Sequence, residues 1–481
     1  MNYLDQLQDH AHKNPTRAAL ISGDITLDFN QLWSLAEQWS SALLKFNLKE
    51  GSRIGICLQD NWEFALAILA TNRANMTVIS LDWRASNSET ERLSEQFKLD
   101  AILKLPSAQP IKNKLNITID ESWHEKVSNE KEQLGPINSQ IPIFIKQSSG
   151  TTGAPKGAYV LHEDFIARIE RNLISFNSLK GQRYLSCLPL CFSGGFNYLL
   201  LNLTLGNTVI LYPTLFSASE IINALRKYSI TFTFLAPTVL RWLLQQPHED
   251  KPLLSDMKIL MTGFSPISGD EKKAFQKYIS PNLYEVYATS AGGLICCLKP
   301  KDLKDYADSV GKANPAVEVQ IVNDQNIEVS PGVTGRLRCR GLGVSQSYWE
   351  HGQPNTGSEG LDDGWYFSGD LAEQNLEGYY YLKGRSDNII IRGGININPA
   401  VVETAIRSHK DVNEVAVFGR ADAQLGEQVV AAVVGKNSLQ KEDLFAHCRN
   451  TLAPHMVPEE IILKPSLPKT SSGKIKIMDL I

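Results

Sequence analysis

The chain has 481 residues, too many for one ordinary core, so two or more domains are expected. A hydrophobic share of 43% with 21% charge is that of a globular protein, and a net charge of −4 excludes a general nucleic-acid binder, which would be basic. Seven cysteines without regular spacing and nine histidines without a cluster argue against a disulfide scaffold or a zinc motif and suit a reducing cytoplasm.

No apolar run approaches the roughly 18 residues of a membrane span, and residues 1–14, with Asp5 and Asp9, hold no signal core. Residues 29–46 place Leu32, Leu35, Ala36, Trp39, Leu43 and Leu44 at helical spacing. Residues 53–58 read as a short strand, 62–72 as a helix and 77–81 as a strand. The polar stretch 126–139 reads as a surface loop, and Ile141-Pro-Ile-Phe-Ile145 as the strand that follows it. Ser219 stands at an N-cap before Ile221, Ile222, Leu225 and Tyr228. Residues 230–235 read as a buried strand ended by Pro237. The alternation predicts a large α/β domain of layered, mainly parallel sheets. Near Gly384-Arg385 the pattern changes to strands at 389–391, 412–417 and 428–434 with helices at 399–408 and 442–452. That is a compact α+β unit of about ninety residues.

The strand at 141–145 delivers Gln147-Ser-Ser-Gly-Thr-Thr-Gly-Ala-Pro-Lys-Gly157. Ser148, Ser149, Thr151 and Thr152 supply hydroxyls, Gly150, Gly153 and Gly157 free the backbone, and Lys156 adds a cation. Such a loop can wrap a triphosphate. It is not the P-loop signature, because its lysine precedes the glycine and no Gly-Lys-Ser/Thr occurs. Further on come Gly364-Trp-Tyr-Phe-Ser-Gly-Asp370, Gly384-Arg-Ser-Asp387, Gly393-Gly394, Pro399, Glu403 and Pro468-Lys-Thr-Ser-Ser-Gly-Lys474. In this order, over nearly the whole chain, these resemble the adenylate-forming superfamily of acyl-CoA synthetases, carrier-protein adenylation domains and luciferases.

The resemblance implies a large domain over residues 1–384 and a small mobile one over 385–481, with the hinge at Asp387. It implies ATP-dependent conversion of a carboxylic acid to an acyl-adenylate, then transfer to a thiol. CoA is the first candidate acceptor, a carrier-protein phosphopantetheine the second, and an amine a third. By the same resemblance the 148–157 loop holds the β- and γ-phosphates, and Lys474 bridges carboxylate and α-phosphate. Asp370 accepts the ribose hydroxyls, Arg385 donates to ribose or phosphate, and Tyr287 lies against adenine. Gly263 borders the nucleotide, and Arg392 with Gly393-Gly394 faces the nucleotide site and thiol tunnel after rotation. The alternative reading of Asp370 and Arg385 is a structural ion pair.

Several positions depart from the family pattern. Tyr287-Ala-Thr-Ser-Ala291 stands where Tyr-Gly-x-Thr-Glu is usual. Thr289 falls beside the substrate and Ser290 keeps the hydroxyl at the α-phosphate, but Ala291 replaces the Glu that helps hold Mg²⁺. Mg²⁺ is retained as companion of the triphosphate, its protein ligands unassigned, and Ala291-Gly-Gly293 leaves unusual space for a substrate. Phe264 replaces a second glycine, Val401 and Ile477 stand for Glu and Arg, and Asn388 for an Asp. The acid-pocket wall is Leu190-Cys-Phe-Ser-Gly-Gly-Phe196. Ser193 stands where amino-acid activators carry an Asp, and Phe192 where many acyl-CoA synthetases carry a His. Phe192, Ser193, Gly194, Phe196 and Phe264 then suit an uncharged aryl or aliphatic chain. A degenerate member that binds nucleotide without catalysis is the reading that Ala291 favours. Retention of Lys474, Asp370 and Arg385 opposes it.

Overall fold

A computed structural model describes residues 2–128, 134–148, 156–176, 178–212, 217–247, 251–350, 353–358, 360–392, 395–422, 426–452, 454–469 and 475–480; of Gln147, Ser148, Lys156, Glu350, Pro354, Asp387, Ile391, Ile395, Asn396, Gly426 and Pro454 it describes the backbone only. Two compact units emerge: residues 1–319 with 339–366, and residues 320–338 with 367–481.

In the first unit, helix ends follow local side chains. Asp28 caps Phe29–Leu44 and shares a capping box with Gln31. Asn61 caps Trp62–Arg73. Ser217, rather than Ser219, caps Ala218–Lys227, because Glu220 lies three residues on and closes the box. Pro237 does end the preceding strand, Phe232–Phe234, and it also opens the helix Pro237–Leu244 at its first position, where its missing N–H costs nothing.

Two sheets form the layers. One has nine strands, with Ile259–Thr262, Phe232–Phe234, Arg183–Ser186 and Thr208–Leu211 parallel at its centre. Beyond Ile259–Thr262 runs Leu283–Thr289, also parallel, which turns back as the antiparallel strand Gly293–Leu298. The other has eight strands, of which Leu115–Thr118, Ala101–Lys104, Arg53–Cys57, Thr77–Ser80 and Phe144–Ser148 run parallel. The strand read at 141–145 therefore sits three residues further on and runs into the first serine of the loop. Helix Trp62–Arg73 touches strands of both sheets, which is why residues 64–72 are buried on every face. All seven cysteines are free and buried.

The second unit holds an antiparallel pair, residues 370–374 of strand Trp365–Gln374 with Tyr380–Arg385, in which Asp370 lies opposite Arg385. It also holds the sheet Ile395–Ile397, Ile390–Arg392, Gly426–Gly435 and Val412–Asp422, with Glu460–Leu463 added parallel to Gly426–Gly435. Helices Pro399–Arg407 and Lys441–Thr451 close its core with Val402, Ile406, Leu444 and Cys448. Among the described residues no helix is long and apolar enough to cross a membrane.

Candidate active site

The first unit brings a group of the expected residues together at the mouth of two elements. Helix Ser193–Thr204 starts at Ser193, with Phe192 as an N-cap that makes no side-chain cap bond. Its first-turn N–H groups therefore lack the side-chain acceptor a cap would bring. The turn after strand Leu283–Thr289 carries Ser290, whose Oγ lies 2.9 Å from Ser193 Oγ. Thr289 Oγ1 accepts from Gly292 N–H at 2.8 Å and shapes that turn. A register shift between Tyr287 and Ala288 reorients the strand just before it.

Phe264 explains the family's glycine at its position. Its φ is +74°, in the left-handed region that glycine occupies freely. The ring remains 46% exposed and stacks on Phe234, centroids 4.3 Å apart and planes 19° apart. A Cβ on Gly194 would come within 2.9 Å of that ring, so the glycine is what admits the phenylalanine. Ser193, Gly194, Phe264 and Ser290 thus form one patch. Gly263 packs so closely on Val286 that a Cβ there would lie 2.7 Å from the Val286 carbonyl oxygen.

Two pocket expectations are corrected. Phe196 is fully buried in the hydrophobic core, edge-on to Phe144 at 4.8 Å, and offers no surface to a ligand. Ala291 is also buried, at 1% exposure, and a Cβ on Gly292 would meet Ile295 Cδ1 and Thr289 Oγ1 at 2.8 Å, so the run 291–293 leaves no open space. Phe192 is half-buried against the core.

Two buried arginines, which the sequence reading passed over, hold the Ser290 turn. From helix His162–Ser175, Arg168 donates to the carbonyls of Ala291 and Gly343, each at 2.9 Å. Arg171 donates to the Gly292 carbonyl at 2.7 Å and to that of Leu342. Burial lowers both guanidinium groups to about 10, and Asp164, one turn before Arg168, offsets part of the loss. The remaining pocket wall is pinned from below. Asp60 Oδ1 accepts from Leu190 N–H at 2.6 Å, and Ser80 Oγ donates to the Cys191 carbonyl at 2.8 Å. Lys146 Nζ reaches the same carbonyl at 3.2 Å. The visible signal for Lys146 was a lysine inside an apolar strand; for the arginines, two cations three apart on an otherwise amphipathic helix gave none.

In the second unit Asp370 Oδ1 and Arg385 Nη1 lie 3.5 Å apart across the strand pair, with Arg385 also donating to the Ser368 carbonyl at 3.3 Å. The guanidinium passes so close over Gly369 (φ +78°) that any Cβ there would clash at 2.5 Å. Arg392 donates to the His455 carbonyl at 2.8 Å and pairs with Glu459. Asp387 lies in the short 3₁₀ turn Ser386–Asn388. Ser149, Gly150, Thr151, Thr152, Gly153, Gly394 and Lys474 fall outside the described residues, as do the side chains of Ser148 and Lys156. Among the described residues no group of three or more His, Cys, Asp or Glu side chains is placed to hold a metal ion.

Layered parallel sheets with a smaller α+β unit are the architecture expected of an adenylate-forming enzyme. The chain belongs to the AMP-binding enzyme family, which matches residues 7–349, while the AMP-binding enzyme C-terminal domain matches residues 401–474. It is 29% identical to indoleacetate–CoA ligase of Aromatoleum aromaticum over 100% of this chain and 98% of that protein. Identity to the mitochondrial medium-chain acyl-CoA ligase ACSF2 of Homo sapiens is 28%, covering 98% and 85% of the two chains. For 2-succinylbenzoate–CoA ligase of Bacillus licheniformis it is 25%, covering 99% and 98%. In fold the chain resembles ATP-bound MatB from Rhodopseudomonas palustris, with a TM-score of 0.88, 21% identity and coverage of 100% and 98%. It also resembles the o-succinylbenzoate CoA synthetase of Bacillus subtilis in complex with ATP and magnesium, with a TM-score of 0.86, 24% identity and 98% coverage of each.

Proposed function

We propose that this protein is an AMP-forming acid–thiol ligase for an aryl or aliphatic carboxylic acid, with CoA as the thiol. A carboxylate oxygen of the acid attacks the α-phosphorus of ATP. The bond to the bridging oxygen breaks and pyrophosphate leaves. The thiol sulfur of CoA then attacks the acyl carbon and loses its proton, and AMP leaves with the acyl C–O bond electrons. The acid–thiol reading is supported by the full-length relatives, which are CoA ligases.

In this reading Ser290 and the first-turn N–H groups of helix Ser193–Thr204 stabilise the charge that gathers on carboxylate and phosphate oxygens. The 148–157 loop holds the outer phosphates, Tyr287 and Gly263 border the base, and Asp370 binds ribose. Arg385 both positions Asp370 and reaches ribose or phosphate. Lys474 acts in the first half-reaction, then withdraws as residues 385–481 turn about Asp387 and bring Arg392 and Gly394 to the site. Mg²⁺ brought with ATP would neutralise triphosphate charge; each proposed contact above belongs to the chain itself.

One observation carries the choice of acid. The hydroxyl of Ser193 is engaged with Ser290, and no carboxylate stands there to hold an α-ammonium group. Phe264 and Phe192 frame the same place with apolar surface. The test is pyrophosphate release over a panel of indoleacetate, 2-succinylbenzoate, medium-chain fatty acids, benzoates and α-amino acids, each with and without CoA. Release with an aryl or aliphatic acid and a CoA-dependent thioester is expected. Preference for an α-amino acid would overturn the assignment of acid. Acyl transfer to an amine or a carrier phosphopantetheine in place of CoA would overturn the assignment of acceptor.

A further inference from the structure

Four strands of the nine-stranded sheet, Arg183–Ser186, Phe232–Phe234, Ile259–Thr262 and Leu283–Thr289, run parallel and end on one edge. Arg183–Ser186 is flanked by Thr208–Leu211 on one side and Phe232–Phe234 on the other, so the order of travel across the sheet reverses at this strand. In open sheets of this kind, the crevice beyond the carboxyl ends at such a reversal is where ligands bind. Phe234 closes one of the two strands, and Gly194 lies in the segment that follows the other. Phe264, two residues beyond the end of Ile259–Thr262, stands against both. One face of its ring stacks on Phe234, and its Cε1–Cζ edge lies over Gly194, 2.9–3.0 Å from where a Cβ would stand.

Fold stability is a poor reason for a phenylalanine here. A φ of +74° strains a bulky L-residue, whereas glycine takes it freely. The ring is 46% exposed and recovers only part of the benefit of burial. Phe234 does not need it as a cover, being 4% exposed with Tyr198 already edge-on at 5.1 Å. Backbone strain that presents an aromatic ring at a carboxyl-end crevice points to use by a ligand. With one face on Phe234 and one edge over Gly194, the remaining exposure belongs to the opposite face and its rim. That surface is flat and apolar. Phe196 is lost to the core and Phe192 is half-buried, so Phe264 is the most exposed of the three aromatics expected to line the pocket. Beside it, Ser193 adjoins Gly194 and meets the hydroxyl of Ser290.

We propose that Phe264 determines specificity for the acid, and that its open face stacks with the planar ring of an aromatic carboxylic acid. The inference rests on the acid–thiol ligase reading and narrows its aryl-or-aliphatic substrate to aryl. The acid's ring extends the stack of Phe234 and Phe264, and its carboxylate lies on the side of the Ser193–Ser290 pair. A puckered or open-chain body of equal size loses the face-to-face contact.

The experiment compares wild type with Phe264→Gly and Phe264→Tyr on two matched pairs of acids: phenylacetate with cyclohexylacetate, and benzoate with cyclohexanecarboxylate. Each pair shares its carbon skeleton and differs in planarity. The ratio of kcat/KM for pyrophosphate release, planar over puckered, is the readout. Phe264→Gly is expected to lower that ratio by roughly 3- to 10-fold, and Phe264→Tyr, which keeps the ring, to hold it within about 2-fold. Phe264→Asn, whose side chain tolerates the left-handed backbone, supplies the same comparison if the Gly variant does not fold. A ratio that the loss of the ring leaves unchanged would overturn the proposal, because the ring would then be a plain apolar wall. So would a new activity of Phe264→Gly on octanoate at an unchanged ratio, which would make the ring a stop that limits chain length. Wild-type protein that releases no pyrophosphate with any acid would overturn the ligase reading instead. Calorimetric titration of the same acids into the same variants then decides the stack on its own.

Discussion

Lys474 is assigned to the chemistry, whereas Lys146 pins the Cys191 carbonyl inside the fold. The proposed role of Lys474 needs a mobile cation that serves one half-reaction. Lys474→Ala is therefore expected to slow adenylation by roughly 10²–10³ and to leave thioester formation from supplied acyl-adenylate intact. Stopped-flow assay of the two half-reactions checks this, and equal losses in both would refute the assignment. Lys146 is instead buried, and its folded-state value of about 7 lies below that of an ordinary lysine. The unfolded chain thus binds more protons than the folded one above pH 7. The stability cost is complete below about pH 7 and fades as the pH rises toward the ordinary lysine range. Lys146→Met is expected to melt higher than wild type at pH 6, with the gap narrowing steadily between about pH 7 and 10. A gap that widens with pH would contradict the burial argument. The role given to Lys474 comes from the family resemblance, whereas a lysine buried among Ser80, Cys191 and Phe196 depends on contacts 66 and 45 residues away in the chain.

At the scale of elements, the Ser290 turn is held from outside its own hairpin. Arg168 and Arg171 supply bonds to Ala291, Gly292, Leu342 and Gly343, so one helix fixes both the turn and the 341–345 segment. Truncating Arg168 to Met removes the bonds to the Gly343 and Ala291 carbonyls, of which Ala291 keeps Ser345 N–H, for a loss of about 1–3 kcal/mol. Denaturant unfolding should report that loss, and nucleotide affinity should fall with it because Ser290 is no longer positioned. A variant with wild-type stability and affinity would show that the turn holds itself. Elements themselves were largely legible. Helix Phe29–Leu44 and strand Arg53–Cys57 follow from apolar spacing alone. Ser219 failed as a cap because the competing signal, Ser217 with Glu220 three residues on, outweighs nearness to the first isoleucine. Phe196 failed as a pocket wall because its ring is taken up by the core, edge-on to Phe144, a contact 52 residues away in the chain that local spacing does not announce.

At the scale of the molecule, the proposal needs residues 385–481 to take two orientations about Asp387. Proline there fixes φ and restricts Ser386 as well. Asp387→Pro is expected to retain pyrophosphate release and lose CoA-dependent thioester formation. Loss of both by a folded protein would remove Asp387 as the hinge. A small α+β unit was legible in the switch of pattern near Gly384-Arg385, but the compact unit takes in residues 320–338 and begins again at residue 367. Less legible was how one strand, Trp365–Gln374, spans both compact units, since Tyr366 belongs to the first and Phe367 to the second. A strand has no marker for where along its length the chain passes from one core to another.

The burial of every cysteine has a chemical consequence for an enzyme of this kind. An acyl-adenylate acylates whatever thiolate it meets, and a cell supplies only one of those deliberately. Burial pushes Cys187, Cys191, Cys297 and Cys339 up to about 12 and Cys57 to about 11, so at neutral pH these groups are thiols and poor nucleophiles. Cys191 sits in the very segment that borders the proposed pocket, yet its sulfur is both enclosed and protonated. The protein is therefore built to make a reactive electrophile without becoming its target. Incubated with ATP and its acid but no CoA, it should retain an unmodified mass, holding the activated acyl group in reserve for a thiol that arrives from outside.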